Sequence, residues 1–245
     1  MIREKIIREK IAPEFYIEDH ALIYGLMGKY ADELYGEAGL AALEKGTILY
    51  ARERGIRMAK RCLADGNPLN MRTYLLYGEW ADTRKATSIQ VSGIVPKFLN
   101  HVPQCAWNDA WVKYGLVKYG AIYCTHADKN LVYGFSPAEK VDIPDLLTHG
   151  APSCEFEWYG TDFKTEQEFY DLMKKKSEIS HYTMKDFLYH SGHTLSALRR
   201  AFCLELGVPA AREIQEKALE EFEKLTSAEK REALYEESRL DFLAV

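Results

Sequence analysis

The 245-residue chain has no long apolar run, no closely spaced cysteine pair and no surplus of basic charge. Its longest apolar stretches are a few residues, against the ~20 that a membrane-spanning helix needs, so no membrane span is expected. With 16 Gly and 8 Pro, collagen-like and low-complexity classes are excluded. Lys and Arg number 32 against 37 Asp and Glu, a net charge of -5. A protein built to neutralise phosphates shows the opposite balance, so a nucleic-acid partner is not expected. The first ten residues, Met1 to Lys10, interleave acids with bases and contain no apolar h-region. They read as a solvated helix or arm, neither a secretory signal nor a membrane anchor, and a cytoplasmic location follows. The five cysteines (Cys62, Cys105, Cys124, Cys154 and Cys203) are odd in number and lack a C-x-x-C pair. That argues for reduced thiols, mostly buried as small hydrophobes, and against a structural zinc site. Walker, G-x-G-x-x-G, G-x-S-x-G and H-E-x-x-H motifs are all missing.

What is there is an ordinary globular composition, 47% apolar and 28% charged. The hydrophobic period divides the chain into a helical part (1–85), a central mixed part (86–160) and a second helical part (161–245), read as a single domain. Leu22, Ile23, Leu26, Met27, Tyr30 and Leu34 form one helical stripe over about 18–35, punctuated by Gly36 and Gly39. A second helix is predicted over 41–64, ended by Gly66-Asn67-Pro68, and a third over 71–80. Ser88 to Val95 alternates as a strand, and Pro96 and Pro103 bracket a connection. Helices follow from Ala106 and over 117–133, then a short alternating run at 140–143. Cys154, Phe156 and Trp158 alternate with Glu155 and Glu157, placing the first three toward a core. Helices are predicted over 165–173, 182–205, 210–225 and 227–243, the last with Ser227 as N-cap. The expected fold class is α+β, predominantly helical, with a small antiparallel sheet in the central region.

Chemistry-bearing residues concentrate in the centre. Cys105, Trp107, Tyr123, Cys124, His126, Asp128, His149 and Cys154 fall within about fifty residues. On a helix over 117–133, Cys124 and Asp128 stand four apart on one face, whereas His126 points roughly 200° from Cys124. A Cys-His-Asp triad from 124, 126 and 128 would require a strand. Cys124 is a buried helix cysteine, a pocket wall or a thiolate nucleophile; the last needs a nearby base or cation. Asp128 is a surface acid or a site carboxylate that orients water or binds an amidine-like cation. Cys105 and Cys154 are pocket or core residues. A second constellation, Tyr189-His190-Ser191-Gly192-His193, places two imidazoles at i, i+3. They would ligate a divalent metal given a third ligand such as His20 or His126, act as a general base without metal, or bond to backbone and carboxylates.

The pattern Cys105-x-Trp107, Tyr114-Gly115, Tyr119-Gly120, Tyr123-Cys124-x3-Asp128, Gly134-Phe135 and Gly150-x3-Cys154-x-Phe156 resembles the L-2-amino-thiazoline-4-carboxylic acid hydrolase family, most densely over residues 103–160. Part of it also resembles the 4-vinyl reductase type of small-molecule-binding domain. The first resemblance implies a hydrolase that opens a small cyclic amidine-type substrate to a carbamoyl product, with no cofactor. It implies Asp128 as carboxylate or base, Cys124 and Cys105 as pocket or nucleophilic thiols, and His126 or His190 as proton carrier. Trp107, Tyr123, His193 and Cys154 would contact substrate, and Arg199 or Arg200 would hold its carboxylate. The alternatives are a binding module without catalysis, or a metal-dependent enzyme through His190 and His193. The expected partner is a small-molecule substrate, and a homo-oligomer stays open.

Overall fold

The fold was obtained as a computed structural model that describes residues 13–244. The reading of Met1 to Lys10 as a solvated arm lies outside those residues. Helix α1 (Ile17–Ala64) runs for 48 residues. Its first turn carries Glu18 and Asp19, and the Asp19 carboxylate accepts the Tyr16 N–H at 2.9 Å. Acids there offset the positive end of the helix dipole. Gly36 breaks the helix internally at φ 54°, ψ -131°, a conformation that side chains disfavour. Just beyond it, a Cβ on Gly39 would lie 1.9 Å from the Ala31 carbonyl oxygen. The two helices expected around Gly36 and Gly39 are thus two arms of one kinked element.

After α2 (Met71–Tyr77), strands β1 (Ser88–Gly93) and β2 (Phe98–Gln104) form a hairpin. Helices α3 (Ala106–Tyr114) and α4 (Val117–Phe135) follow, then β3 (Val141–Asp142), a 3-10 turn at Leu147–His149 and β4 (Cys154–Trp158). The chain ends in α5 (Glu166–Thr183), α6 (Phe187–Leu206), α7 (Val208–Leu225) and α8 (Ala228–Glu237). The fold is α+β and predominantly helical, with one antiparallel sheet in the order β1-β2-β4-β3. Thr165, Asp186 and Ser227 cap α5, α6 and α8, each accepting a backbone N–H three residues on.

Three expectations need correction. The segment between Pro96 and Pro103 is not a connection but contains the central strand β2. Its inward positions are Phe98, Asn100 and Val102, and the polar Asn100 together with Pro103 masked the period of two. Helix α5 continues ten residues past Met173, because the Lys174-Lys175-Lys176 run rides on a mostly exposed helix with little apolar stripe. The last helix stops at Glu237 rather than Leu243. The tail beyond it folds back, and Arg57 and Lys60 donate to the Phe242 and Leu243 carbonyls at 2.7 and 2.8 Å.

Two apolar clusters form the core. One joins α1 to α3, α4, α6, α7 and α8 through Leu26, Trp111, Tyr123, Leu198, Phe222 and Leu234. The other joins the second arm of α1 to α2, α4 and the inner face of the sheet through Met58, Tyr74, Phe135, Phe98 and Trp158. Cys124, on α4, packs against both. The backbones of α1 and α4 touch where they cross: a Cβ at Gly55 would lie 2.2 Å from the Leu131 carbonyl oxygen, and one at Gly134 2.4 Å from that of Arg52.

Candidate active site

The register of the sheet aligns its inward side chains. Phe98 pairs with Trp158, Asn100 with Phe156, and Val102 with Cys154. Because side chains alternate along a strand, these six form one continuous face. Trp158 donates from its indole nitrogen to the Asn100 side-chain oxygen at 2.7 Å, which satisfies the buried amide. Opposite stand α1, α2 and α4. Between them lies a cavity of about 440 Å³, a size suited to a small molecule.

Arg54, Glu79, Trp80, Cys105, Trp107, Tyr123, Cys124, Asp128, Cys154 and Lys176 all line it. Helical spacing therefore brings Cys124 and Asp128 into the same site, and the chain adds Cys105 and Cys154 from the start of α3 and from β4. The expectation that Cys154, Phe156 and Trp158 face inward is met, and what they face is this cavity. Burial raises the Asp128 carboxyl above its ordinary value, and Arg54 works against that rise. Asp128 makes no hydrogen bond or ion pair to the protein among the described residues, so its oxygens are available to a ligand. Burial pushes the Cys105 thiol up to about 11, the Cys124 thiol well above the usual range, and that of Cys154 upward too; Asp128 adds to each. The three thiols are accordingly neutral near pH 7.

A buried charge cluster forms one edge. Glu79 receives Arg57 at 2.7 Å on each oxygen and Arg61 at 2.6 Å, with Arg54 3.7 Å away. Burial alone would raise the Glu79 carboxyl; the arginines, Arg57 foremost, hold it well below the usual range. One carboxylate facing three guanidinium groups leaves local positive charge, and Arg54 carries it to the cavity wall.

The histidines stand elsewhere. His20 accepts the Trp107 indole N–H on Nδ1 at 2.9 Å. Neutral imidazole then carries its proton on Nε2, which faces the hydroxyls of Thr194 at 2.9 Å and Tyr50 at 3.1 Å. His20 is therefore a clamp that fixes a wall of the cavity. His193 meets Glu53 at 2.9 Å, and Arg200 binds the same carboxylate through two nitrogens at 2.6 Å each. His190 faces the Glu79 carbonyl at 3.4 Å, and its Nδ1 is buried without a partner. His126 lies outside the cavity lining, 3.5 Å from Glu44. His190 and His193 do not line the cavity either, and they turn to different partners. Among the described residues no group of three or more His, Cys, Asp and Glu side chains is placed to hold a metal ion. The arginines expected to hold a substrate carboxylate are not at the site: Arg200 is committed to Glu53 and Arg199 is exposed.

Four of these lining residues escaped the sequence reading: Arg54, Glu79, Trp80 and Lys176. A signal existed for the first. Arg54, Arg57 and Arg61 recur at helical spacing on a face where α1 should bury apolar groups, which marks a buried charged stripe. Glu79 and Lys176 reach the site only through tertiary packing.

The cavity is bounded by helices and one sheet face and presents an unpaired carboxylate. The chain belongs to the L-2-amino-thiazoline-4-carboxylic acid hydrolase family, whose model matches residues 15–158. No curated protein and no solved structure matches it. The matched segment contains every cavity residue described above except Lys176.

Proposed function

We propose that the protein is a hydrolase of a small cyclic amidine-type substrate such as L-2-amino-thiazoline-4-carboxylate. The observation that carries this reading is Asp128, a carboxylate without a protein partner on the wall of a partly open cavity. Burial raises this carboxyl above its ordinary value, which favours its taking up a proton. The ring enters as its amidinium; Asp128 takes one proton from water as the water oxygen bonds to ring carbon 2 and the carbon–nitrogen π pair moves onto nitrogen. The carbon–sulfur bond then breaks, the ring sulfur takes the proton from Asp128, the hydroxyl on carbon 2 becomes the urea carbonyl and releases its proton to solvent, and the product is N-carbamoyl-cysteine. Arg54 opposes the rise that burial causes at Asp128 and so favours the carboxylate form. Trp107 and Tyr123 pack against the ring. The neutral thiols of Cys105, Cys124 and Cys154 serve as polarisable walls, since a nucleophilic role would need a lowered pKa and the burial here does the opposite. Membership of the family supports the reaction class.

The aromatic face formed by Phe98, Phe156 and Trp158 favours one second reading, a module that binds an apolar ring without turning it over. Incubation with L-2-amino-thiazoline-4-carboxylate in heavy-oxygen water, followed by mass spectrometry, separates the two. The hydrolase reading requires N-carbamoyl-cysteine bearing one heavy oxygen; binding without product would support the module.

A further inference from the structure

Lys176 comes from α5, beyond the segment that matches the family. Its side chain lines the cavity. The amine reaches in over Gly78, where a Cβ would lie 2.9 Å from the lysine Nζ, so glycine leaves room for it. Among the described residues Lys176 makes no hydrogen bond or ion pair.

None of the carboxylates lining the cavity pairs with it among the described residues. Glu79 is held by Arg57 and Arg61. Asp82 accepts the Arg84 and Thr87 backbone N–H groups at 3.1 and 2.6 Å. Asp128 feels Arg54 and makes no ion pair with Lys176. A cation in a largely apolar cavity without a counterion is a costly arrangement, and a ligand that supplies the counterion relieves it. Consistent with this, loss of hydration alone lowers the amine to about 8.

We propose that Lys176 is the anchor for the carboxylate of the ligand, so that the cavity selects small ring compounds bearing a carboxylate. This rests on the hydrolase reading only for the identity of the ring; the anion site stands on Lys176 itself. Arg54 stays with Asp128 and Glu79, and the two ends of the cavity have separate tasks.

The test is binding by calorimetry of two unreactive probes, L-thiazolidine-4-carboxylate and thiazolidine, which differ in the carboxylate. Wild type is expected to bind the carboxylate at least tenfold more tightly than thiazolidine. Lys176→Met should weaken the carboxylate roughly 10- to 100-fold, the range of a charge-assisted hydrogen bond, and leave thiazolidine unchanged. Lys176→Arg should recover most of the loss. Above pH 8 the free amine loses its proton, so wild-type affinity for the carboxylate should fall with rising pH, while Lys176→Arg stays flat there. Equal binding of both probes by wild type, no binding of either, or an unchanged affinity in Lys176→Met overturns the proposal. The outcome is separable from the hydrolase reading. Turnover with a Lys176-independent affinity sinks the anchor alone; Lys176-dependent binding without turnover sinks the hydrolase alone.

Discussion

Asp128 and Cys124 share one face of α4 and one cavity, yet burial acts on them toward different ends. It raises the carboxyl above its ordinary value, with Arg54 opposing the rise, and it lifts the thiol well above the range where it ionises near neutral pH. Asp128→Asn removes the proton acceptor and retains the shape, so the rate should fall by at least ~100-fold with an unchanged unfolding midpoint. Cys124→Ser should retain activity within about tenfold, because a neutral wall thiol is replaced by a neutral hydroxyl; loss comparable to that of Asp128→Asn would instead make Cys124 the nucleophile. Cys105, Cys124 and Asp128 were legible from sequence because helical spacing and a dense local motif place them. Arg54, Glu79 and Lys176 were not, since each reaches the cavity through packing between elements far apart in the chain. The histidines show the reverse case. The spacing of His190 and His193 is genuine on α6, but each bonds to a different neighbour, Glu79 and Glu53.

The crossing of α1 and α4 sets the width of the cavity, because α1 supplies Arg54 and Met58 and α4 supplies Tyr123, Cys124 and Asp128. Gly55 and Gly134 let the two backbones touch at that crossing. Gly55→Ala would put its methyl group into backbone on the facing helix, which cannot move aside as a side chain can. It should lower stability by about 2 kcal/mol or more, read as a shifted denaturation midpoint, and weaken ligand binding as the helices separate. A midpoint equal to wild type would show that the crossing has slack. Most helices were readable from their apolar stripes, including the break at Gly36, but the ends of α5 and α8 were not. Strand β2 was not, because an inward Asn100 satisfied by Trp158 looks polar in sequence and apolar in context. Strand β4, with its clean alternation, was read correctly.

Across the whole molecule, charge is buried in a way that makes the fold sensitive to acid. Burial holds His20 down to about 3 and His193 to about 4, and keeps His190 well below its ordinary value. All three are neutral in the fold, whereas in the unfolded chain they take up protons near pH 6.5. Their contribution is therefore complete above about 6.5 and declines as pH falls toward 4, by up to ~1.4 kcal/mol per pH unit for each histidine. Glu53 extends the decline: burial raises it, but Arg200 and His193 outweigh that and take it to about 2, so its contribution is lost below about 4.5. Urea midpoints should drop clearly between pH 7.5 and pH 5; equal midpoints would show that these imidazoles are not held neutral. The same packing puts the C-terminal tail against the site's charged edge, where Phe242 stacks on His193 at 4.6 Å and its carbonyl accepts from Arg57. The helical layers after residue 158 thus buttress the family-matching segment and contribute Lys176 to its cavity.

Asp128 in this cavity is proposed to perform the ring opening. Its most direct test is the initial rate of N-carbamoyl-cysteine formation from L-2-amino-thiazoline-4-carboxylate, measured side by side for wild type and Asp128→Asn at matched folded concentration. The account predicts steady product release by wild type and a rate at least ~100-fold lower in the variant. Equal rates in the two proteins, or no product from a wild type that binds the compound, would contradict it.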